Sequence, residues 1–379
     1  MIDFKEISPY EDYEVPEAII RLKSNNSFLS KFSPFFFPKI SSVFPYLGNI
    51  LFKLKFIKYF GSSSTVKDFQ QNLAPFFTRM IESTTAGFSV SGEENLTNKT
   101  TLFIGNHRDI ALDAAFLNYA LLQKGLNTAR IAIGDNLLDK DFAEELMRLN
   151  KSFVVHRNIK GIKETYKKLH RLSSYIYKSI VEDSESIWIA QREGRANDGN
   201  DVTDAAVLKM LFLSNRKKMK IQEWLEKVNL TPVVISYEFN PLDILKKQGK
   251  RSLEELEKAN KNERYISELI NGITGYKGGV HLHICKPVLN KINSFDQLVA
   301  EINDSIQGNY KLWPSNNFAV NELSRMEKSY EPFIKENLDT NKSSQFIGRF
   351  KDVEDNKLQE TLRTYARPVI NKKKVNSMD

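Results

Sequence analysis

At 379 residues and 41% hydrophobic composition, the chain is long enough for one large domain or two smaller ones, with ample material for a core. The single cysteine, Cys285, excludes an internal disulfide framework and a cysteine-based metal site. The formal net charge of +8 is localised: Arg21, Lys23, Lys31, Lys39, Lys53, Lys55, Lys58 and Lys67 fall in the interval between Glu17 and Asp68, which holds no acid, so the rest is neutral overall. A block of this kind signals an anionic partner.

Residues 1–24 read as a leading segment, helical from Pro16. Its mixed-charge start, Met-Ile-Asp-Phe-Lys-Glu, is not the pattern of a signal peptide. No apolar run reaches the roughly 18 residues of an ordinary transmembrane helix. Residues 28–60 gather Phe28, Phe32, Phe35, Phe36, Phe37, Phe44, Phe52, Phe56 and Phe60, nine of the 25 phenylalanines, among lysines and Pro34, Pro38 and Pro45. Large rings with lysine and no acid suit the headgroup–acyl boundary of an anionic bilayer. An acyl-chain tunnel, plain core, and stacking on single-stranded nucleic acid are the other readings. From Ile50 to Tyr59 the lysines interrupt the apolar face, so the amphipathic pattern is imperfect.

Gly61-Ser-Ser-Ser-Thr65 marks a boundary. Residues 66–83 follow as a helix, with Phe69, Leu73, Phe76, Phe77 and Met80 on one side. Phe88-Ser-Val-Ser reads as a strand. Thr101-Leu-Phe-Ile-Gly105 is a compact apolar run, hence a buried strand. Gly105-Asn106 breaks it, and helical spacing resumes from Ile110. His107 thus sits where a strand ends, and Asp113 sits on the first turn of the next helix. Strand ends are where α/β folds meet ligands. A histidine titrating near neutrality suits a general base, and a carboxylate beside it would fix its tautomer. With no serine adjacent, the nucleophile is expected to be the substrate's own hydroxyl. Asp109 competes with Asp113 as the histidine's partner.

Further buried strands are expected at 129–134, 151–157, 186–190, 228–238 and 279–287, separated by helices over 140–149, 160–183, 201–227 and the charged stretch 241–275. Lys246, Lys247, Lys250 and Arg251 in that stretch are read as a solvated face, with contact to phosphate or membrane as the alternative. His170 is a helix-face residue, and Cys285 lies in an apolar strand unsuited to a nucleophile. His281 and His283 alternate to one side, but no third ligand is near, so no metal is expected. Ser294-Phe-Asp-Gln297 is a capping box opening another helix.

The stretch Asn106-His107…Leu112-Asp113 resembles the His/Asp motif of the glycerolipid acyltransferases, with five residues between His and Asp in place of the family's four. Gly92-Glu93-Glu94-Asn95-Leu96 is similar to a stretch that often precedes that motif. Phe153-Val-Val-His156-Arg157 is similar to the second motif, whose arginine binds the substrate phosphate, although the preceding glycine is missing. Glu193-Gly194-Arg195 resembles the third, with Arg192 in place of proline and no threonine. Arg192 and Asp198 are further polar candidates. Pro232 before Val-Val-Ile looks like the fourth motif. The resemblance covers residues 106–238.

The resemblance implies His107 and Asp113 as catalytic base and orienting acid, and Arg157, Glu193, Gly194 and Arg195 as substrate-binding residues. Amides near Gly194 or in the turn after His107 are the expected oxyanion donors. No cofactor or metal is implied; acyl-CoA or acyl carrier protein (ACP) is the co-substrate. The acceptor is a glycerol-phosphate lipid, 1-acylglycerol 3-phosphate in preference to glycerol 3-phosphate, and the place is the inner face of the cell membrane. The alternative is a membrane lipid-binding protein without activity; nucleic acid is not an expected partner. The expected fold is α/β, a largely parallel sheet flanked by helices of the glycerol-3-phosphate acyltransferase kind, with a Phe/Lys-rich membrane-associating N-terminal segment. The expected divisions are residues 1–65, an acyltransferase domain over 66–330, and a charged, mobile tail over 331–379.

Overall fold

Short apolar runs become strands, and longer stretches between them become helices. The computed structural model describes residues 3–135, 142–157, 159–241, 243, 261–289, 291–351 and 353–377. The strands are β1 (Gly87–Ser91), β2 (Leu102–Gly105), β3 (Arg130–Gly134), β4 (Ser152–Val155), β5 (Ile187–Ala190), β6 (Thr231–Tyr237) and β7 (Gly279–Ile284). The helices are α1 (Val15–Ser24), α2 (Asn26–Phe36), α3 (Pro38–Val43), α4 (Pro45–Phe60), α5 (Val66–Thr84), α6 (Leu112–Gln123), α7 (Ala143–Leu149), α8 (Ile162–Val181), α9 (Ala205–Phe212), α10 (Ile221–Val228), α11 (Lys261–Thr274), α12 (Phe295–Asn309), α13 (Pro314–Ser324), α14 (Thr340–Gly348) and α15 (Asp355–Asn376). The chain divides into two compact units, one of Met1–Arg79 with Ala129–Tyr175, the other of Met80–Thr128 with Ile176–Asp379. Lys246, Lys247, Lys250 and Arg251 lie outside the described residues.

In the first unit, Pro38 and Pro45 start α3 and α4 at the position where a missing N–H costs nothing. The phenylalanine block divides between two faces. Phe28 lies with its ring centroid 5.4 Å from Phe52, 5.2 Å from Phe56 and 5.6 Å from Phe142. Phe52, Phe56 and Phe60 are all buried, each such ring contributing about 1.5–3 kcal/mol through burial. The opposite face of α4 is apolar too, yet exposed: Leu47, Ile50, Leu54 and Ile57 recur at helical spacing and are 38–60% exposed, continued by Val43, Phe44 and Tyr46. Exposed Lys39 and Lys58 flank that stripe. β3 and β4 pair in parallel, with Ile131 opposite Ser152, and the Val154 N–H donates to the Ile7 carbonyl, drawing the N-terminal residues onto β4.

In the second unit five strands run in the order β1-β7-β6-β2-β5, with every pairing parallel except β6 against β7. β2 is central and buried throughout, which is why its sequence is continuously apolar rather than alternating. Gly105 must be small: a Cβ there would stand 2.9 Å from Trp188 Nε1 and 3.0 Å from Val233 Cγ2. The stretch 201–227 is two helices, α9 and α10, because Asn215 accepts the Lys218 and Met219 amides and turns the chain between them. Ser294 caps α12, accepting the Gln297 N–H at 3.2 Å. Past Glu331, where a mobile charged tail is expected, α14 and α15 pack on α13: Phe318, Leu323, Phe346, Phe350, Leu362 and Tyr365 form one buried cluster. Tyr365 OH donates to Asp243 at 2.7 Å, and Arg349 pairs with the same carboxylate at 3.1 Å. Among the described residues no helix is long and apolar enough to cross a membrane.

Candidate active site

The site begins where β2 stops. Asn106 continues the ladder with its side chain, its Nδ2 donating to the Ile235 carbonyl at 2.9 Å and its Oδ1 accepting the Ile235 N–H at 2.8 Å. The strand end is thereby fixed to β6, and His107 leaves it in a set direction. The His107 Nδ1 lies 2.9 Å from Asp113 Oδ2. That oxygen also accepts the backbone N–H of Arg108 at 2.6 Å and of Asp109 at 2.9 Å, while Asp113 Oδ1 accepts the Tyr237 hydroxyl at 2.7 Å. A buried carboxylate with four donors is well satisfied. With Nδ1 facing a carboxylate, the proton belongs on Nδ1 and the lone pair on Nε2, the tautomer a general base requires.

Asp109 takes a different part. Its Oδ1 accepts the Ala111 and Leu112 amides at 3.0 and 2.9 Å, capping the start of α6. Burial, and Asp113 beside it, push the Asp109 carboxyl above its ordinary pKa. Within the turn after His107, the Arg108, Asp109, Ala111 and Leu112 amides therefore already have acceptors.

The loop after β5 is tied to the same strand end. The Gln191 N–H donates to the Gly105 carbonyl and the Ala196 N–H to the His107 carbonyl, both at 2.8 Å. Gly194 has φ of 75°, the left-handed region that glycine enters at no cost. Glu193 is exposed. Arg195 is not directed at open solvent: its Nη2 lies 2.6 Å from Glu268 Oε2 on α11, the two side chains being 13% and 4% exposed. Deeper, Arg108 pairs with Asp201 at 2.5 Å and donates to the Gly199 carbonyl. Burial works against the Arg108 charge and Asp201 more than restores it, so its pKa lies above the usual value. Asp198 accepts the Asn200 N–H, and Arg192 donates to the Asn200 carbonyl at 3.4 Å.

The structure thus brings His107, Asp113 and the 193–195 turn together in the second unit. Arg157 belongs to the first unit, where its N–H donates to Asp135 Oδ2 at 3.1 Å and His156 Nδ1 lies 3.3 Å from the same oxygen. Sequence reasoning missed Tyr237 as a partner of Asp113, although a tyrosine in a buried strand needs a hydrogen-bond partner. It also missed Glu268, 73 residues beyond Arg195, for which no local signal exists.

Outside this site, the His281 ring nitrogens meet Ser89 and Ser91, and His283 Nδ1 meets Ser91. Among the described residues no group of three or more potential ligands is placed to hold a metal. Burial pushes the Cys285 thiol up to about 12, leaving it unionised at neutral pH and a poor nucleophile.

Residues 87–234 match the protein-family model described as acyltransferase. Among solved structures the chain is similar to PlsC, the 1-acyl-sn-glycerophosphate (LPA) acyltransferase of Thermotoga maritima, at 15% identity over 77% of this chain and 96% of that one, with a TM-score of 0.35. No curated protein matches. The matched segment runs from the start of β1 into β6 and contains the Asn106-His107…Asp113 turn, Arg157 and the 193–195 turn. Residues 87–234, somewhat under half of the chain, are thus similar to the acyltransferase family.

Proposed function

We propose that the protein transfers an acyl group from the thioester of acyl-CoA or acyl carrier protein to a hydroxyl of a glycerol-phosphate lipid, 1-acylglycerol 3-phosphate in preference to glycerol 3-phosphate, in phospholipid biosynthesis. The observation that carries this reading is the His107–Asp113 pair, with its acid anchored by two amides and the Tyr237 hydroxyl. His107 Nε2 takes the proton of the acceptor hydroxyl as its oxygen attacks the thioester carbonyl. Asp113 stabilises the imidazolium that forms. The tetrahedral oxyanion collapses, the C–S bond breaks, and the imidazolium proton passes to the departing thiolate. The acceptor hydroxyl is the nucleophile, so this mechanism requires no covalent enzyme intermediate, and it calls on no metal or cofactor.

Arg195 is the cation offered to the acceptor phosphate in the second unit, with Glu193 and Gly194 shaping the turn; the resemblance gives Arg157 the same ligand. Guanidinium suits this because it grips two phosphate oxygens at once. The exposed stripe Leu47, Ile50, Leu54 and Ile57, flanked by lysines, supports peripheral binding to an anionic membrane, on its inner face.

The test is thiol release from acyl-CoA, and from acyl-ACP, with 1-acylglycerol 3-phosphate and glycerol 3-phosphate compared as acceptors, for the wild type and His107→Ala. Acceptor-dependent release that disappears in a folded His107→Ala protein is the expected result. Retained turnover in that variant would refute the mechanism. Lipid binding without release from either donor would refute the enzyme and leave the inactive lipid-binding protein.

A further inference from the structure

Helix α11 touches the site at two points one helical turn apart. Glu268 pairs with Arg195. Four residues on, Gly272 presses against Asp109 so closely that a Cβ would stand 2.3 Å from Asp109 Oδ2. The first contact places a carboxylate on the guanidinium offered to the acceptor phosphate, and the second holds the helix close enough to keep it there.

We infer that Glu268 is an internal stand-in for the acceptor's phosphate on Arg195, which makes residue 268 a determinant of acceptor charge; the inference rests on the acyltransferase reading above. Carboxylate and phosphate present the same pair of oxygens to a guanidinium, and both side chains are shielded, so the attraction is weakly screened by salt. A phosphate approaching the paired Arg195 meets no net positive charge there. It gains that cation only by displacing Glu268 or by sharing Arg195 with a like charge. A neutral acceptor has no such competition to overcome. Glu268 therefore narrows the preference for phosphate-bearing acceptors that a bare arginine would impose. It also keeps Arg195 neutralised, and unavailable to stray anions, while the site is empty.

The measurement is KM for 1-acylglycerol 3-phosphate and for a neutral monoacylglycerol, by thiol release from acyl-CoA, in the wild type, Glu268→Gln and Glu268→Asp. Glu268→Gln should lower KM for the phosphate acceptor about tenfold, the weight of one modest interaction, and leave the neutral acceptor's KM within about twofold. Glu268→Asp keeps the charge and shortens the reach, so it should give a smaller shift in the same direction. Should the glutamine variant fail to fold, the aspartate variant decides. An unchanged ratio of the two KM values in a folded variant would overturn the inference while leaving the acyltransferase reading intact. No acceptor-dependent release from the wild type would overturn both.

Discussion

Tyr237→Phe isolates the support given to the catalytic acid from the acid itself. The phenol donates to Asp113 Oδ1 at 2.7 Å, whereas the other donors, His107 Nδ1 and the Arg108 and Asp109 amides, all meet Oδ2. Burial first, and Asp113 beside it, hold the Tyr237 hydroxyl well above its ordinary pKa, so it remains a neutral donor throughout any assay range. Phenylalanine keeps the ring, which packs 6.2 Å from Phe116, and deletes only the donor. A hydrogen bond to a charged group contributes about 1.5–3 kcal/mol, and a buried oxygen left without its donor bears the full desolvation cost. Urea unfolding should therefore show a loss of about 1.5–3 kcal/mol. If the phenol also holds the carboxylate square to His107, the support lost in the transition state should lower kcat roughly tenfold, about 1.4 kcal/mol, with acceptor KM unmoved. A stability loss without any fall in kcat would show that Tyr237 serves the core alone, and would refute the orienting role.

Three further outcomes follow from the geometry. Gly272→Ala sets a helix-propensity gain of about 1 kcal/mol against a Cβ 2.3 Å from a carboxylate already held by two amides; overpacking of about 1–3 kcal/mol should win, and a raised Tm would contradict the close seating of α11. Lys277 is buried, and desolvation lowers its pKa to about 8. Between that value and the unfolded value near 10.4 the unfolded chain binds more protons, so this residue's contribution to stability rises with pH across the window and is least below it. Urea unfolding of the wild type and Lys277→Met at pH 7 and 9.5 checks this, and the wild type should gain on the variant at the higher pH. Ile50→Glu with Leu54→Glu places two charges on the exposed face of α4 and should abolish co-sedimentation with anionic vesicles at an unchanged Tm; undiminished binding would remove this face from the membrane reading.

The strand ends were legible because a buried strand needs an unbroken apolar run and a ligand-facing turn needs polar or small residues. Asn106-His107, Arg157 and Glu193-Gly194-Arg195 each follow such a run. Other features depend on partners far along the chain. Phe52 and Leu54 look alike in sequence, yet one is 4% and the other 60% exposed, since the lysines of α4 interrupt both faces and blur the period that would separate them. Residues 331–376 read as polar because their buried residues, Phe346, Phe350, Leu362 and Tyr365, are spaced widely among charges and find one another only in the folded unit. Glu268 has no neighbour in sequence to mark it.

The irregular spacing of the His/Asp motif shows most clearly what spacing alone leaves open. Two aspartates follow His107, and distance along the chain does not choose between them. Hydrogen-bonding capacity does. A helix start presents N–H groups without partners, and Asp109 takes those of Ala111 and Leu112, while Asp113 takes the Arg108 and Asp109 amides of the turn before the helix. An acid two residues from the histidine caps the helix, and the acid six residues away is returned to it by the turn so formed. The additional residue thus does not push Asp113 out of reach of His107. It is taken up by a turn whose N–H groups help to hold that acid.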